Sequence, residues 1–326
     1  MKKLSGWQMA GLVAGIGCAS IIGVVVIGVV IAVAWARSTV AELGDPTPSR
    51  HERTIAVAAP SVAAPEGADT SAGRKEGEPL RLTIDLAEGD FTIGPGPAGG
   101  QVQVEGTYAE GLYELEEKND TDEANRARTT IRFRAKAPMW ARVLAGIGND
   151  RGRRPDMTVL IPAGVPIDLT LRVGLGESRI DLGGLTLKEL GVDLSMGNHE
   201  LDFREPVVEG LRRVRLNASM GNVSIENLGN ARAQSIDSSG SMGNLTADLG
   251  GAWQPGAKAD LSFDHSMGEL RLRVPAQVRL EADVRNAQGG RTENRPSAEG
   301  EPSDPAAPVL RLRVSTSMGE SRITRY

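Results

Sequence analysis

One short motif, repeated at a near-constant interval, constrains this chain more than any other feature. Ser-Met-Gly-Asn and its variants place a glycine at Gly176 (GLGE), Gly197, Gly221 and Gly243 (SMGN), and Gly268 and Gly319 (SMGE), in steps of 21, 24, 22, 25 and 51 residues. A fixed period of this size marks a repeat architecture in which one supersecondary unit stacks on the next. The last step is double, so a further turn is expected inside it. The segment "PAGVPIDLTLRVGLGE" from Pro162 aligns with "PAQVRLEADVRNAQGG" from Pro275 at a constant offset of 113, which sets Gly289 opposite Gly176. Likewise "LRLTIDLAEGDFTI" at 80 aligns with "LRLRVSTSMGESRI" at 310 at an offset of 230, which adds Gly89.

The flanking residues identify the repeated unit as a strand. Leu80, Leu82, Ile84 and Leu86 alternate with polar residues, as do Ile167, Leu169, Leu171 and Val173; a period of two places each set on one face. No segment beyond residue 80 sustains a helical pattern, and "LTLKELG" at 185–191 is the nearest to one. The expected fold is therefore all-β, a β-solenoid over residues 80–326. Val192, Leu194 and Met196 share one parity before the glycine, whereas Leu201 and Phe203 share the other after it. The inward face thus changes register there, as at a corner or bulge, and glycine accepts the positive φ or close approach that a side chain forbids. This parity places Met196, Met220, Met242, Met267 and Met318 in an inward column begun by Leu175, with the pliable thioether side chain filling space beside the bend. Asn198, Asn222, Asn244, Glu269 and Glu320 form the neighbouring column on the surface side, read as a ladder bonding its own turns rather than a metal site.

The N-terminus has a different character. No charged side chain occurs from Leu4 to Ala36, and the run from 9 to 36 is almost wholly apolar, longer than the roughly 20 residues a membrane-spanning helix needs. Trp7 and Trp35 bracket it, and Lys2 with Lys3 outweighs Arg37, which predicts one transmembrane helix with the N-terminus inside. Ala34-Trp35-Ala36 would suit a signal-peptide cleavage site, but the apolar run exceeds the 7–15 residues of a secretory signal, so an uncleaved anchor is expected. Cys18 is the only cysteine; Gly15 stands where a lipid-attachment box would carry Leu, and no disulfide is expected. Gly11, Gly15, Ala19 and Gly23 recur every four residues, a small-residue face suited to self-association of membrane helices. Residues 41–79 are rich in Pro and Ala without periodicity and read as a disordered linker. From Asp45 to Pro79 a flexible coil spans roughly 30–35 Å. The location that follows is a membrane crossed once, with the repeat domain on the extracytoplasmic side.

Catalytic signatures are missing. The net charge of -5 and pI of about 5.5 give no basic footprint for nucleic acid. There is no phosphate-binding glycine loop, HExxH or cysteine pair. Asp264-His265-Ser266 holds nucleophile-like residue types, but neighbours on a strand point to opposite faces. No enzyme, cofactor or metal is expected. Charge is segregated, however: 105–123 carries eight acidic residues and one Lys, whereas 126–154 carries nine basic residues and one Asp. Two readings stand for the charged hairpin/loop at 105–154. Its arms pair with each other in water, each pair contributing about 0–1 kcal/mol; or 137–154, with Trp140, Arg142, Arg151, Arg153 and Arg154, is a protruding loop that meets a membrane surface or anionic envelope polymer. Residues 286–308, rich in Glu, Pro, Ser and Ala, read as a disordered insertion between the last two coils.

The stretch "MTVLIPAGVPIDLTLRVGLGESRIDLGGLTLKELGVDLSMGN", residues 157–198, resembles the toast-rack β-repeat domains of bacterial envelope proteins, among them LiaF-like and PspC-like stress proteins and adhesin-like repeat proteins. The matching features are the "VPIDLTL" strand, the Gly-x-Gly-Glu turn, the "IDLGGLTLKEL" crossover and the next glycine turn 21 residues on. The resemblance implies a non-enzymatic, membrane-anchored scaffold or adhesin-like interaction domain, or alternatively a regulator of a cell-envelope stress response acting through a membrane partner. The LiaF-like relatives usually carry several membrane helices, whereas this chain has one candidate. Partners expected on this reading are the membrane itself, an envelope polymer or membrane protein, and a second copy through the helix.

Overall fold

The computed structural model describes residues 48–56, 79–99, 101–121, 127–139, 142, 154–286, 291–295, 302 and 304–326. The apolar run 9–36 with Gly11, Gly15, Ala19 and Gly23 lies outside them, as do Gly289, Trp140, Arg151 and Arg153. Among the described residues no helix is long and apolar enough to cross a membrane.

The described chain falls into two units. The smaller holds Pro48, Ala109–Leu112, 136–139 and Arg142; in it the amides of Lys136 and Ala137 both donate to the carbonyl of Leu112, whose own amide donates to Ala109. The larger holds Ser49–Tyr108, Tyr113–Ala135 and Arg154–Tyr326. It is all-β apart from one 3-10 turn at Leu228–Ala231.

Fourteen strands build the larger unit: β1 (Ser49–Ala56), β2 (Leu80–Gly96), β3 (Gln101–Tyr108), β4 (Tyr113–Thr121), β5 (Ala127–Ala135), β6 (Asp156–Pro162), β7 (Ile167–Asp181), β8 (Leu187–Asp202), β9 (Arg213–Glu226), β10 (Ser235–Asp248), β11 (Lys258–Val274), β12 (Arg279–Asn286), β13 (Arg291–Arg295) and β14 (Val309–Arg325). They form one sheet in the order β1-β3-β6-β2-β7-β8-β9-β10-β11-β14-β12, with β13 on β14, and β4 on β5, which pairs β2. Seven long strands, β2, β7 to β11 and β14, pair in parallel with their glycines in register: Gly89, Gly176, Gly197, Gly221, Gly243, Gly268 and Gly319. The near-constant interval in sequence has become a column in space.

That register stacks like on like. Before the glycine, Leu82, Leu169, Leu190, Val214, Ile236, Leu261 and Leu312 are successive partners. After it, Ile93, Ile180, Leu201, Ile225, Ala247, Leu272 and Ile323 are partners in turn, and every member of both columns is buried. Burying each large aliphatic side chain contributes about 1.5–3 kcal/mol, so these two columns form much of the core. Where β5 pairs with the first half of β2, Phe133 stacks on Tyr113 and meets Tyr108 and Phe91 edge-on. Outward residues are charged and link adjacent strands, as in Arg172–Asp193 and Arg213–Asp237. Such exposed pairs add little to stability.

Both ends of the column depart from chain order in the same way. β2 pairs β5 over its first half and β6 over its second, and β14 likewise pairs β12 and then β13. Each outermost rung is thus two short strands where an inner rung is one long strand. The final interval of 51 residues arises because the chain passes through β12 and β13 before β14 inserts between β11 and β12. The expected sequential stacking of the last coils is corrected accordingly. Two further expectations change. Residues 49–56 of the supposed linker form β1, antiparallel to β3, and 291–295 of the supposed insertion form β13. In both segments a neighbouring strand supplies pairing that local composition does not announce. Within the charged stretch 105–154, residues 113–135 form an antiparallel pair of β4 with β5, in which Arg134 bonds Glu114 and Glu116 at 2.6 Å each, whereas most of the loop 137–154 lies outside the described residues.

Candidate functional site

The methionine column exists, but it faces water. Met196, Met220, Met242, Met267 and Met318 are direct partners on adjacent strands, preceded by Leu175 on β7, and their exposure runs from 39% to 60%. The expected inward column is therefore corrected in direction, though not in register. The physical reason lies in where the parity changes. In β8 the buried residues are Leu194 and then His199, so the intervening Ser195–Asn198 all turn the corner on the outside. The same exposed corner recurs in β9, β10 and β11.

At each corner the glycine has no room for a side chain. The column of glycines has φ between +116° and +153°, and a Cβ on Gly243 would lie 1.9 Å from the carbonyl oxygen of Gly221. Close backbone contact and positive φ both call for glycine. Beside the ridge, Asn222 donates through Nδ2 to Oδ1 of Asn198 at 2.9 Å, and Asn244 donates to Asn222 at 3.0 Å. Asparagine ladders of this kind tie identical rungs to one another. Further along the rungs, Glu269 is held by Arg271 and Glu320 by Arg322. Each Ser-Met-Gly-Asn rung thus presents an exposed thioether, a side-chain amide and, in Ser195, Ser219 and Ser241, an exposed hydroxyl residue.

Two depressions adjoin this surface. A groove of about 540 Å³ runs over the second halves of the rungs, floored by the Asn ladder, Arg179, Glu200 and Arg271. A smaller one of about 310 Å³ lies at the corner between Leu175 and Met196, with Glu88, Glu177 and Arg154 around it. Arg154 is thereby placed at the corner of the ridge, whereas Arg142 belongs to the smaller unit, where burial lowers its guanidinium pKa.

Two histidines lie inside rather than at the surface. His265 is buried while Asp264 and Ser266 are exposed, so the three do not converge. His265 Nε2 donates to the carbonyl of Gly243 at 3.0 Å, and its ring lies over Gly240, where a Cβ would come within 2.2 Å of Nδ1. Across β7 and β8, Ser178 Oγ and His199 Nδ1 are hydrogen-bonded at 2.9 Å in the buried layer. Sequence reasoning missed this pair; the offset of two from Gly176 and from Gly197 locates it. Burial lowers the His199 pKa, favouring the neutral ring. A general base needs a third group to orient it, and His199 Nε2 has no hydrogen-bond partner. This is a packed polar rung. Among the described residues no group of three or more His, Cys, Asp or Glu could hold a metal ion.

The family model for the N-terminal domain of toast-rack (DUF2154) matches residues 65–226. No curated protein matches the chain. Among solved structures, a candidate cell-adhesion protein from Clostridium sporogenes is similar at 12% identity and a TM-score of 0.40, covering 86% of this chain and all of that one. A candidate adhesin from Bacteroides fragilis is similar at 13% identity and 0.31, covering 87% and all of that chain. Another from Parabacteroides merdae stands at 10% and 0.28, covering 87% and 98%. Over residues 65–226, from the end of the linker through β9, the chain belongs to the toast-rack family of β-repeat domains.

Proposed function

We propose that this chain is a non-catalytic envelope protein. It is anchored by the apolar helix at 9–36 in the bacterial cytoplasmic membrane and displays its parallel rungs outside the cytoplasm as a β-solenoid interaction module, adhesin-like in kind, whose contact face is the Ser-Met-Gly-Asn ridge. One observation carries the reading: five in-register methionines face solvent on neighbouring strands. The fold has its own buried aliphatic columns and does not need these side chains for its core. With Leu175 they form an apolar strip on the order of 500 Å², within the range in which surface patches are commonly functional. A standard protein partner buries about 800 Å² per side, so it would cover the Ser and Asn columns as well. Amide and hydroxyl residues beside an apolar strip suit a contact with a mixed polar and apolar surface.

The test uses the full-length protein in its native membrane, with a photo-crosslinking residue at Met220 or Met242 and, as a control, at exposed Arg215 on the same sheet. The expected result is a discrete adduct from the ridge positions that the Arg215 position does not give. Equal capture at all three positions, or none at the ridge, would contradict the assignment. Capture of a membrane protein that is lost when Gly15 is replaced would instead support the regulator of an envelope stress response.

A further inference from the structure

The ridge is also a row of soft donors. We infer that its methionines form a binding site for a soft monovalent metal ion, Cu(I) by chemistry, with Ag(I) as its analogue. Thioethers are neutral, polarizable ligands that favour Cu(I) over the harder divalent ions. Five of the nine methionines of the chain lie in this one column. Parallel neighbours stand about 4.8 Å apart across a sheet, and a metal–sulfur bond is roughly 2.3 Å long. A sulfur on the central strand can therefore sit beneath an ion while its two neighbours lean in by about half a strand spacing. Met has three rotatable bonds with which to do so, and at this exposure the packing leaves it that freedom. Met220, Met242 and Met267 form such a triple, with Met196 and Met318 at either end.

Competing donors are placed elsewhere. His199 and His265 are buried in the inward layer, and Cys18, the only thiol, precedes the described residues. The corner glycines contribute by fixing the register: the strands meet backbone to backbone at Gly221, Gly243 and Gly268, so the preceding methionines cannot slip past one another. Register and exposure alone define this site, whatever protein partner the ridge meets.

The experiment titrates full-length protein in detergent, in a Cys18→Ser background, with Cu(I) under reducing anaerobic conditions against a coloured Cu(I) chelator, and follows the methionine methyl resonances on addition of Ag(I). Wild-type ridge protein should withdraw about one to two ions per chain from the chelator, as five thioethers taken two or three at a time allow. Signals from Met220, Met242 and Met267 should shift, and that of buried Met157 should not. The variant Met220→Leu/Met242→Leu/Met267→Leu keeps the apolar bulk and should lose the uptake while retaining its circular dichroism and melting transition. The single change Met139→Leu removes an exposed thioether that is not part of the column and should leave uptake intact. No withdrawal of Cu(I) by the ridge protein, or equal withdrawal by the folded triple variant, overturns the inference.

Discussion

Replacing Gly243 by Ala should destabilise the domain by about 2–5 kcal/mol, a large effect for one added methyl group near the surface. Two costs add. At φ +116° the residue lies where side chains are rarely accommodated, a strain of roughly 1–3 kcal/mol. The new Cβ would stand 1.9 Å from the carbonyl oxygen of Gly221, whereas a carbon–oxygen contact is comfortable at about 3.3 Å. The strands must therefore separate by roughly 1.4 Å, more than a ladder hydrogen bond tolerates. One or two such bonds are weakened, at about 1 kcal/mol each. Gly191 supplies the control within the same repeat: its φ is not in the left-handed region, and a Cβ there would meet nothing nearer than the Thr170 hydroxyl at 3.9 Å. Gly191→Ala should be neutral or stabilising by up to about 1 kcal/mol, because it restricts the unfolded chain. Urea denaturation followed by circular dichroism compares the two. A loss below about 1 kcal/mol at Gly243, or a loss at Gly191 equal to it, would refute the argument that backbone contact fixes these glycines.

Two further outcomes follow from burial. Met242→Ser should shift stability by no more than about 0.5 kcal/mol, whereas Leu245→Ala, three residues on and buried, should cost about 2–5 kcal/mol; the same denaturation assay separates them. His199 has its pKa lowered by burial, so the unfolded state binds the proton more readily. Its contribution is complete above the ordinary imidazole pKa of about 6.5 and is lost as pH falls below that value. Urea midpoints should therefore drop between pH 7.5 and 5.5, and His199→Gln should flatten that slope relative to wild type.

Much of the repeat was legible because its signals are local. The alternation of Leu169, Leu171 and Val173 marks a strand, and the glycine interval together with the 230-residue offset aligns β2 with β14. Two things were hidden. The direction of the ridge was misread because the parity of Val192 and Leu194 was carried one step too far, to Met196. The true inward position three residues before each glycine holds Val173, Leu194, Ala218, Gly240, His265 and Thr316. Four of those six are small or polar, so the column does not look like core, although Gly240 leaves the space that His265 fills. Strand order was hidden because pairing between distant segments is decided by which edge is free. β14 meets β11 over its whole length, and neither composition nor periodicity encodes that choice. The buried Ser178–His199 contact depends on the same register and becomes visible only when the two rungs are laid side by side.

Ser-Met-Gly-Asn rungs stand in register with their methionines in solvent, and paired cysteines test this most directly. In a Cys18→Ser background, Met220→Cys with Met242→Cys places two Cα atoms about 4.8 Å apart on neighbouring strands, inside the range a disulfide spans. Met196→Cys with Met242→Cys lies two rungs apart, at roughly 9.6 Å and beyond that range. Mild oxidation should link the first pair and leave the second reactive toward a maleimide. Failure of the first pair to link, equal linkage of the second, or thiols that resist the maleimide in the folded protein would contradict the ridge.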